Sequence, residues 1–178
     1  MGQKEQIAEV FEKHLARYGY AKTTLDDLAR EMHISKKTIY VHFDGKREIY
    51  AYLVDRMAAE EKLKLAAAVA TMPSFSDRVE AVMKHVLEMG RVHIQETSET
   101  EWMQELEVAG DAFRKANGDL IRELVQAGMD AGEFPQGDAL LVEKMAAAMI
   151  VEYLVIVNGD PSYDRDQELL ERIRRFIG

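Results

Sequence analysis

Apolar side chains recur at i, i+3, i+4 and i+7 along almost the whole chain, and this limits the fold more than any other feature. Such spacing lines one face of a helix with 3.6 residues per turn, whereas a half-buried strand needs strict alternation, which is rare here. Ile7, Val10, Phe11, Leu15 and Tyr18 make the first stripe, and it stops at Gly19, a helix C-cap signal. Thr24, an N-cap type, stands ahead of Leu25, Leu28, Ala29 and Met32. Ser35 caps a short piece over 36–43, and Asp44-Gly45 breaks the chain before a long helix from 46 to about 70. Thr71-Met72-Pro73-Ser74 is the next break, followed by a helix over 76–96. The stretch 97–112 is weaker, with a short helix around Trp102 and Leu106. Helices over 113–131, 138–157 and 163–177 complete an all-α chain.

The first three helices are short and closely connected, and the rest are longer. This predicts a small helical module over 1–47 joined through the helix at Lys46 to a larger bundle over 48–178. Charge divides the same way. The net charge is −9, so the overall field does not draw nucleic acid to the chain. Residues 1–50 are nevertheless net +1, and 33–47 carry four basic groups against one acidic. The absence of Cys excludes a disulfide framework, a thiolate metal site and a Cys nucleophile, and fits a reducing cytoplasm. Lys4 and Glu5 stand where a secretory signal needs an apolar run. The most apolar segment, 145–157, is interrupted by Glu152 and too short to cross a bilayer as a helix. A cytoplasmic protein without a membrane partner is expected.

Helix, short turn, helix over 25–43 is the plan of a helix-turn-helix DNA reader. Ile39 and Phe43, four apart, share the core side of the second helix, and Lys37, Thr38, Tyr40 and Val41 point away. Lys36 and Lys37 suit guanine acceptors or phosphate, Thr38 base edges or phosphate, Tyr40 phosphate, and Val41 a thymine methyl. Lys46 opens the next helix, where its ammonium and the helix N-terminus can both meet phosphate.

The residues Phe11, Gly19-Tyr20, Thr23-Thr24, Leu28-Ala29, Ile34-Ser35-Lys36, Thr38-Ile39-Tyr40, His42-Phe43 and Lys46 carry a closer likeness. At these spacings the segment 11–48 resembles the N-terminal domain of TetR-family transcriptional regulators. The stretch 120–134 is similar, more weakly, to a segment of that family's C-terminal domain. The resemblance implies DNA-contact roles for Thr24, Ser35, Lys36, Lys37, Thr38, Tyr40, His42 and Lys46. Three positions depart from the pattern. His33 stands where the family has Gly in the turn, Lys37 where relatives have a small residue or Pro, and Gly45 where Ser or Asn caps the next helix.

The resemblance also implies a small-molecule pocket in the bundle. Eight of the ten Met lie beyond residue 50, and Met suits an adaptable apolar lining. The implied pocket takes in Met83, Leu87, Trp102, Met103, Leu106, Phe113, Leu120, Leu124, Met149 and Tyr153. His85, Glu88 and His93 share part of one helix but make no expected metal site, and no cofactor is expected. No phosphate-loop, dinucleotide or nucleophile-elbow motif occurs, so the chain is not read as an enzyme. The rival reading is a helical-bundle enzyme or metal-binding protein with purely structural N-terminal helices.

The helix over 138–157 is apolar on nearly all sides from 145, and the last helix carries a stripe of Leu169, Leu170, Ile173, Phe176 and Ile177. One 178-residue bundle has little interior to hide both, so a homodimer through 138–157 and 163–177 is expected. The expected function is a ligand-responsive repressor, released from a palindromic double-stranded DNA operator by a small apolar effector.

Overall fold

The structure, a computed structural model, describes residues 2–96, 103–160 and 162–178, leaving aside the side chains of 92–96, 103–107 and 109. Eight α-helices and no strand lie among the described residues: α1 Gln3–Lys22, α2 Leu25–Glu31, α3 Lys36–Tyr40, α4 Lys46–Val69, α5 Phe75–Glu96, α6 Met103–Asp130, α7 Ala139–Gly159 and α8 Asp166–Ile177. The helices end where the sequence places its punctuation. Gly19 takes a positive φ of 76° inside α1, and one further turn follows it to Lys22. α2 closes with paired bonds, His33 N–H to the Arg30 carbonyl at 3.3 Å and Ile34 N–H to the Ala29 carbonyl at 3.0 Å. That arrangement needs a left-handed residue between them, and His33 supplies it at φ 53°. Histidine tolerates this region better than most side chains, so the departure from Gly strains the turn without breaking it.

In the bundle two expected helix starts shift by more than a residue. α6 is one helix from Met103, where a weak stretch to 112 and a helix from 113 are expected. α6 as a whole packs on α4, α5 and α7, and such tertiary packing holds a helix where local signals are weak. α8 begins at Asp166 rather than 163, since Tyr163 N–H is used in a turn onto the Asp160 carbonyl.

Two main cores sit at opposite ends of α4. Ile7, Phe11, Leu28, Ile39 and Phe43 of the first three helices close over Ile49 and Leu53 of α4. Leu65, Ala66 and Val69, near its other end, pack on the bundle core of α5 to α8. The N-terminal core therefore reaches past the expected division at residue 47, because the first two turns of α4 form its floor. Motion of α4 is felt by both cores, since its buried side chains stand on one stiff rod.

The last two helices behave differently from each other. α8 turns Leu170, Ile173 and Ile177 into its own bundle, leaving Phe176 partly exposed. α7 buries Ala139, Glu143, Ala146, Ile150, Tyr153 and Val157. At 100° per residue, the opposite side carries Leu140, Leu141, Met145, Val151, Val155 and Ile156, all large, apolar and exposed. The expectation that both helices present apolar stripes outward holds for α7 and is corrected for α8. No helix of the described residues is long and apolar enough to cross a membrane.

Candidate nucleic-acid interface

The α2–α3 pair is built from two short-range caps. Thr24 Oγ1 accepts from Asp27 N–H at 3.2 Å and donates to its carboxylate at 2.6 Å. Ser35 Oγ accepts from Thr38 N–H at 3.1 Å, and the two hydroxyls lie 2.9 Å apart. Each cap satisfies donors that a short helix cannot satisfy internally. Ile39 and Phe43 are buried, while Tyr40 is 53% and Val41 73% exposed. α3 is regular over five residues rather than the eight expected, yet Phe43 N–H still reaches the Ile39 carbonyl at 3.0 Å. The continuing turn keeps the spacing of inward and outward side chains. Tyr40 and Val41 thus stand outward together, an aromatic and a branched apolar side chain side by side on the exposed side of the turn.

The polar residues of this face are arranged by their neighbours. Lys36 Nζ pairs with Asp26 Oδ2 of α2 at 2.8 Å, while Lys37 is exposed. His42 Nε2 donates to Gln3 Oε1 at 3.1 Å. Lys4 lies 4.9 Å over the rings of Phe43 and Tyr52, so the start of α1 borders the end of α3. Lys46 departs from a simple phosphate role. Its ammonium donates to the Tyr20 carbonyl and, at 3.5 Å, to the Ala21 carbonyl, and stands 4.0 Å over the Tyr20 ring. A cation there meets the carbonyl end of the α1 dipole, where the Tyr20 carbonyl also accepts from Thr23 N–H at 3.2 Å. Asp26, Gln3 and Lys4 were invisible as partners in the sequence, because no spacing rule links residues that meet only across a turn or between helices.

The residues expected to line a ligand pocket fall into three groups. Met83, Leu87, Leu120 and Tyr153 are buried in the bundle core, with Leu124 and Met149 packed against it. Phe113 packs instead with Val54 and Ala58 of α4. Trp102 lies outside the described residues, as do the side chains of Met103 and Leu106. The Tyr153 hydroxyl is fully engaged. It accepts from Arg91 at 3.0 Å and from Arg165 N–H at 2.8 Å, and donates to Asp166 at 2.5 Å. Arg91 grips the same carboxylate with two nitrogens. This knot fastens α5 to α7 and to the start of α8.

Burial pushes the Asp166 carboxyl up, but hydrogen bonds from Arg91 and Tyr153 outweigh it, so its pKa falls below the ordinary 3.8. A depressed native pKa contributes stability that is present above the unfolded value and lost as pH falls through the native one. Asp166→Asn should therefore lower stability at neutral pH by roughly 1.5–3 kcal/mol, as for hydrogen bonds to charged groups. It should also flatten the fall of melting temperature below about pH 4. Thermal melts from pH 7 to 2 check this, and an unchanged acid limb would remove the knot's role.

His85 lies 3.6 Å from Glu61 of α4, and Glu88 pairs within α5 with Lys84. The side chain of His93 lies outside the described residues. Among the described residues no group of three His, Asp or Glu side chains comes together to hold a metal.

Residues 8–53 match the family described as bacterial regulatory proteins, tetR family. The chain is 26% identical over 160 residues to YhgD of Bacillus subtilis (strain 168), an uncharacterized HTH-type transcriptional regulator, covering 84% of this chain and 83% of that protein. It is 53% identical over 32 residues to IcaR, the HTH-type negative transcriptional regulator of the biofilm operon icaADBC in Staphylococcus aureus (strain Newman), which is 18% of this chain and 17% of that protein. The backbone is similar to the transcriptional regulator FadR of Bacillus subtilis, solved in complex with stearoyl-CoA, with a TM-score of 0.59 over 99% of this chain and all of that one. At 19% identity that last likeness is one of fold.

Proposed function

We propose that the chain is a DNA-binding transcriptional regulator of the TetR family, whose family model matches residues 8–53, and that it works as a homodimeric repressor. It holds a palindromic operator and leaves it when a small apolar molecule enters the bundle. The observation that carries this reading is the pairing of an outward Tyr40 and Val41 on α3 with an uncovered apolar face on α7. The first is a probe of groove size, and the second is a surface a second copy would cover. Two probes related by a two-fold axis must enter successive major grooves about 34–36 Å apart. In this reading Thr24, Ser35, Lys37, Thr38, Tyr40 and His42 contact DNA directly. Lys36 and Lys46 divide their charge between the protein partners described above and the phosphates.

The α7 face supports a two-fold contact in its detail. Ala148 lies at the centre of the stripe, small enough for close helix approach, with Lys144 and Glu152 four residues to either side. Copies crossing antiparallel at Ala148 would set each Glu152 against a Lys144, answering the charges that the contact buries. The bundle domain over 48–178 serves ligand binding and dimerisation. The effector enters among α5, α6 and α7, near Met83, Leu87, Leu120 and Met149, and FadR's complex with stearoyl-CoA supports ligand binding in this fold. Effector binding tilts α4 and changes the spacing of the two probes. Such couplings are typically about 1–3 kcal/mol.

Tyr40→Ala tests the reading. Tyr40 touches solvent rather than core, so the variant should keep its melting temperature and oligomeric state. Its affinity in a gel shift on duplex from the protein's own upstream region should fall at least tenfold, the size of one lost specific contact of about 1–3 kcal/mol. Unchanged affinity would mean that α3 is not the reading helix.

A further inference from the structure

The reading face carries more acid than its task suggests. Asp26 and Asp27 sit in the first turn of α2, beside the surface that meets a polyanion. Each is answered by a cation. Asp27 takes the Thr24 hydroxyl and Arg30 at 3.1 Å. Asp26 instead reaches across the turn to Lys36, the first residue of α3. Both members of that pair are well exposed, 61% for Asp26 and 47% for Lys36, so neither is needed to fill a core. Lys37 and Arg47, on the same basic segment, make no ion pair among the described residues. Of the two adjacent lysines opening α3, one is therefore neutralised by the protein itself and the other is not.

We infer that Asp26 is a specificity-determining residue, which withholds Lys36 from generic phosphate and so lowers affinity for DNA that lacks the operator. The inference rests on the DNA-reading role of α3 and deepens it. Non-specific binding comes almost wholly from cations that neutralise phosphates and release counterions. A lysine already paired at 2.8 Å brings little net charge to such an encounter, because the carboxylate beside it repels the same phosphate. At the operator, direct contacts by Tyr40 and its neighbours hold α3 in one register. There Lys36 can exchange Asp26 for a defined acceptor. The pairing thus costs affinity on every sequence but costs least where the register is right, which widens the gap between operator and bulk DNA. The Lys36 ammonium is held above its usual pKa, first by its hydrogen bond to Asp26, so the charge is present throughout the physiological range.

The test compares Asp26→Asn, Asp26→Glu, Lys36→Ala and the double variant Asp26→Asn with Lys36→Ala. Each is titrated with a random 30-base-pair duplex and with duplex from the upstream region, between 50 and 200 mM salt. Asp26→Asn should bind the random duplex roughly three- to tenfold tighter at 50 mM and steepen the salt dependence by about one counterion. The ratio of operator to random affinity should fall. Asp26→Glu keeps a carboxylate and should restore wild-type behaviour, and the double variant should lose the gain. A melting curve unchanged in Asp26→Asn shows that folding is not the cause. Random-duplex affinity and salt slope equal to wild type in Asp26→Asn would overturn the inference. So would a gain that survives without Lys36, since Asp26 would then act by its own repulsion alone. A wild-type protein that binds neither duplex would overturn the DNA-reading role beneath it, a result distinct from both.

Discussion

Val155→Asp should turn the protein into a monomer and remove operator binding. Val155 is 59% exposed in the single chain, on the side of α7 opposite its buried face. In one copy the change touches almost nothing, so monomer stability should move by no more than about 0.5 kcal/mol. In the proposed dimer it places an unpaired carboxylate inside an apolar contact, where an uncompensated buried charge costs several kcal/mol. The two-fold axis places one such charge at each end of the contact, against the apolar Leu141 of the other copy, so the penalty is counted twice. Each freed subunit keeps only one probe, and operator affinity should drop by two or more orders of magnitude. Sedimentation velocity and a gel shift read the two effects. A dimer that persists with full affinity would place the subunit contact elsewhere on the surface.

The second large effect is expected at Phe43. Its ring is buried under Lys4 and meets the Tyr52 ring at 5.6 Å, at the junction of α1, α3 and α4. Phe43→Ala removes that ring and leaves a cavity, a change that costs about 3–5 kcal/mol in well-packed cores. That is a large share of what holds a small unit folded. The N-terminal core and the bundle core share only α4, so the loss should stay local. Calorimetry should show an early transition of the first 50 or so residues, followed by a bundle transition little changed. Operator binding disappears with the first. The contrast with Tyr40→Ala is informative, since that variant should lose binding with stability intact. A single cooperative transition, shifted as a whole, would show instead that the two cores fold as one.

Much of the α2–α3 pair was legible from local chemistry. Thr24 and Ser35 cap the helices they were expected to cap, and Ile39 and Phe43 point inward while Tyr40 and Val41 point out. His33 takes the left-handed conformation its place in the turn demanded. The pocket residues were less legible. Apolar side chains at helical spacing show only that a face is buried, and Met83 and Leu87 satisfy that equally as core or as ligand wall. Phe113 shows the difficulty: its periodicity fits the expected pocket, yet it packs with Val54 and Ala58 in a small cluster separate from the main bundle core.

What the amino-acid order determined alone is everything settled within about one helical turn: where helices start and stop, which residues share a face, and which module is basic. Those outcomes depend on backbone sterics and on partners three or four residues away. The tertiary structure alone decided which partner covers each face. α8 spends its stripe inside its own bundle while α7 leaves an apolar side uncovered. It also brought Asp26 to Lys36, Lys46 to the end of α1, and Arg91 to Asp166, 75 residues away. An apolar stripe states that burial is required but not against what, and a charge attracts whatever opposite charge the packing brings near. Only the completed arrangement of helices in space answers either question.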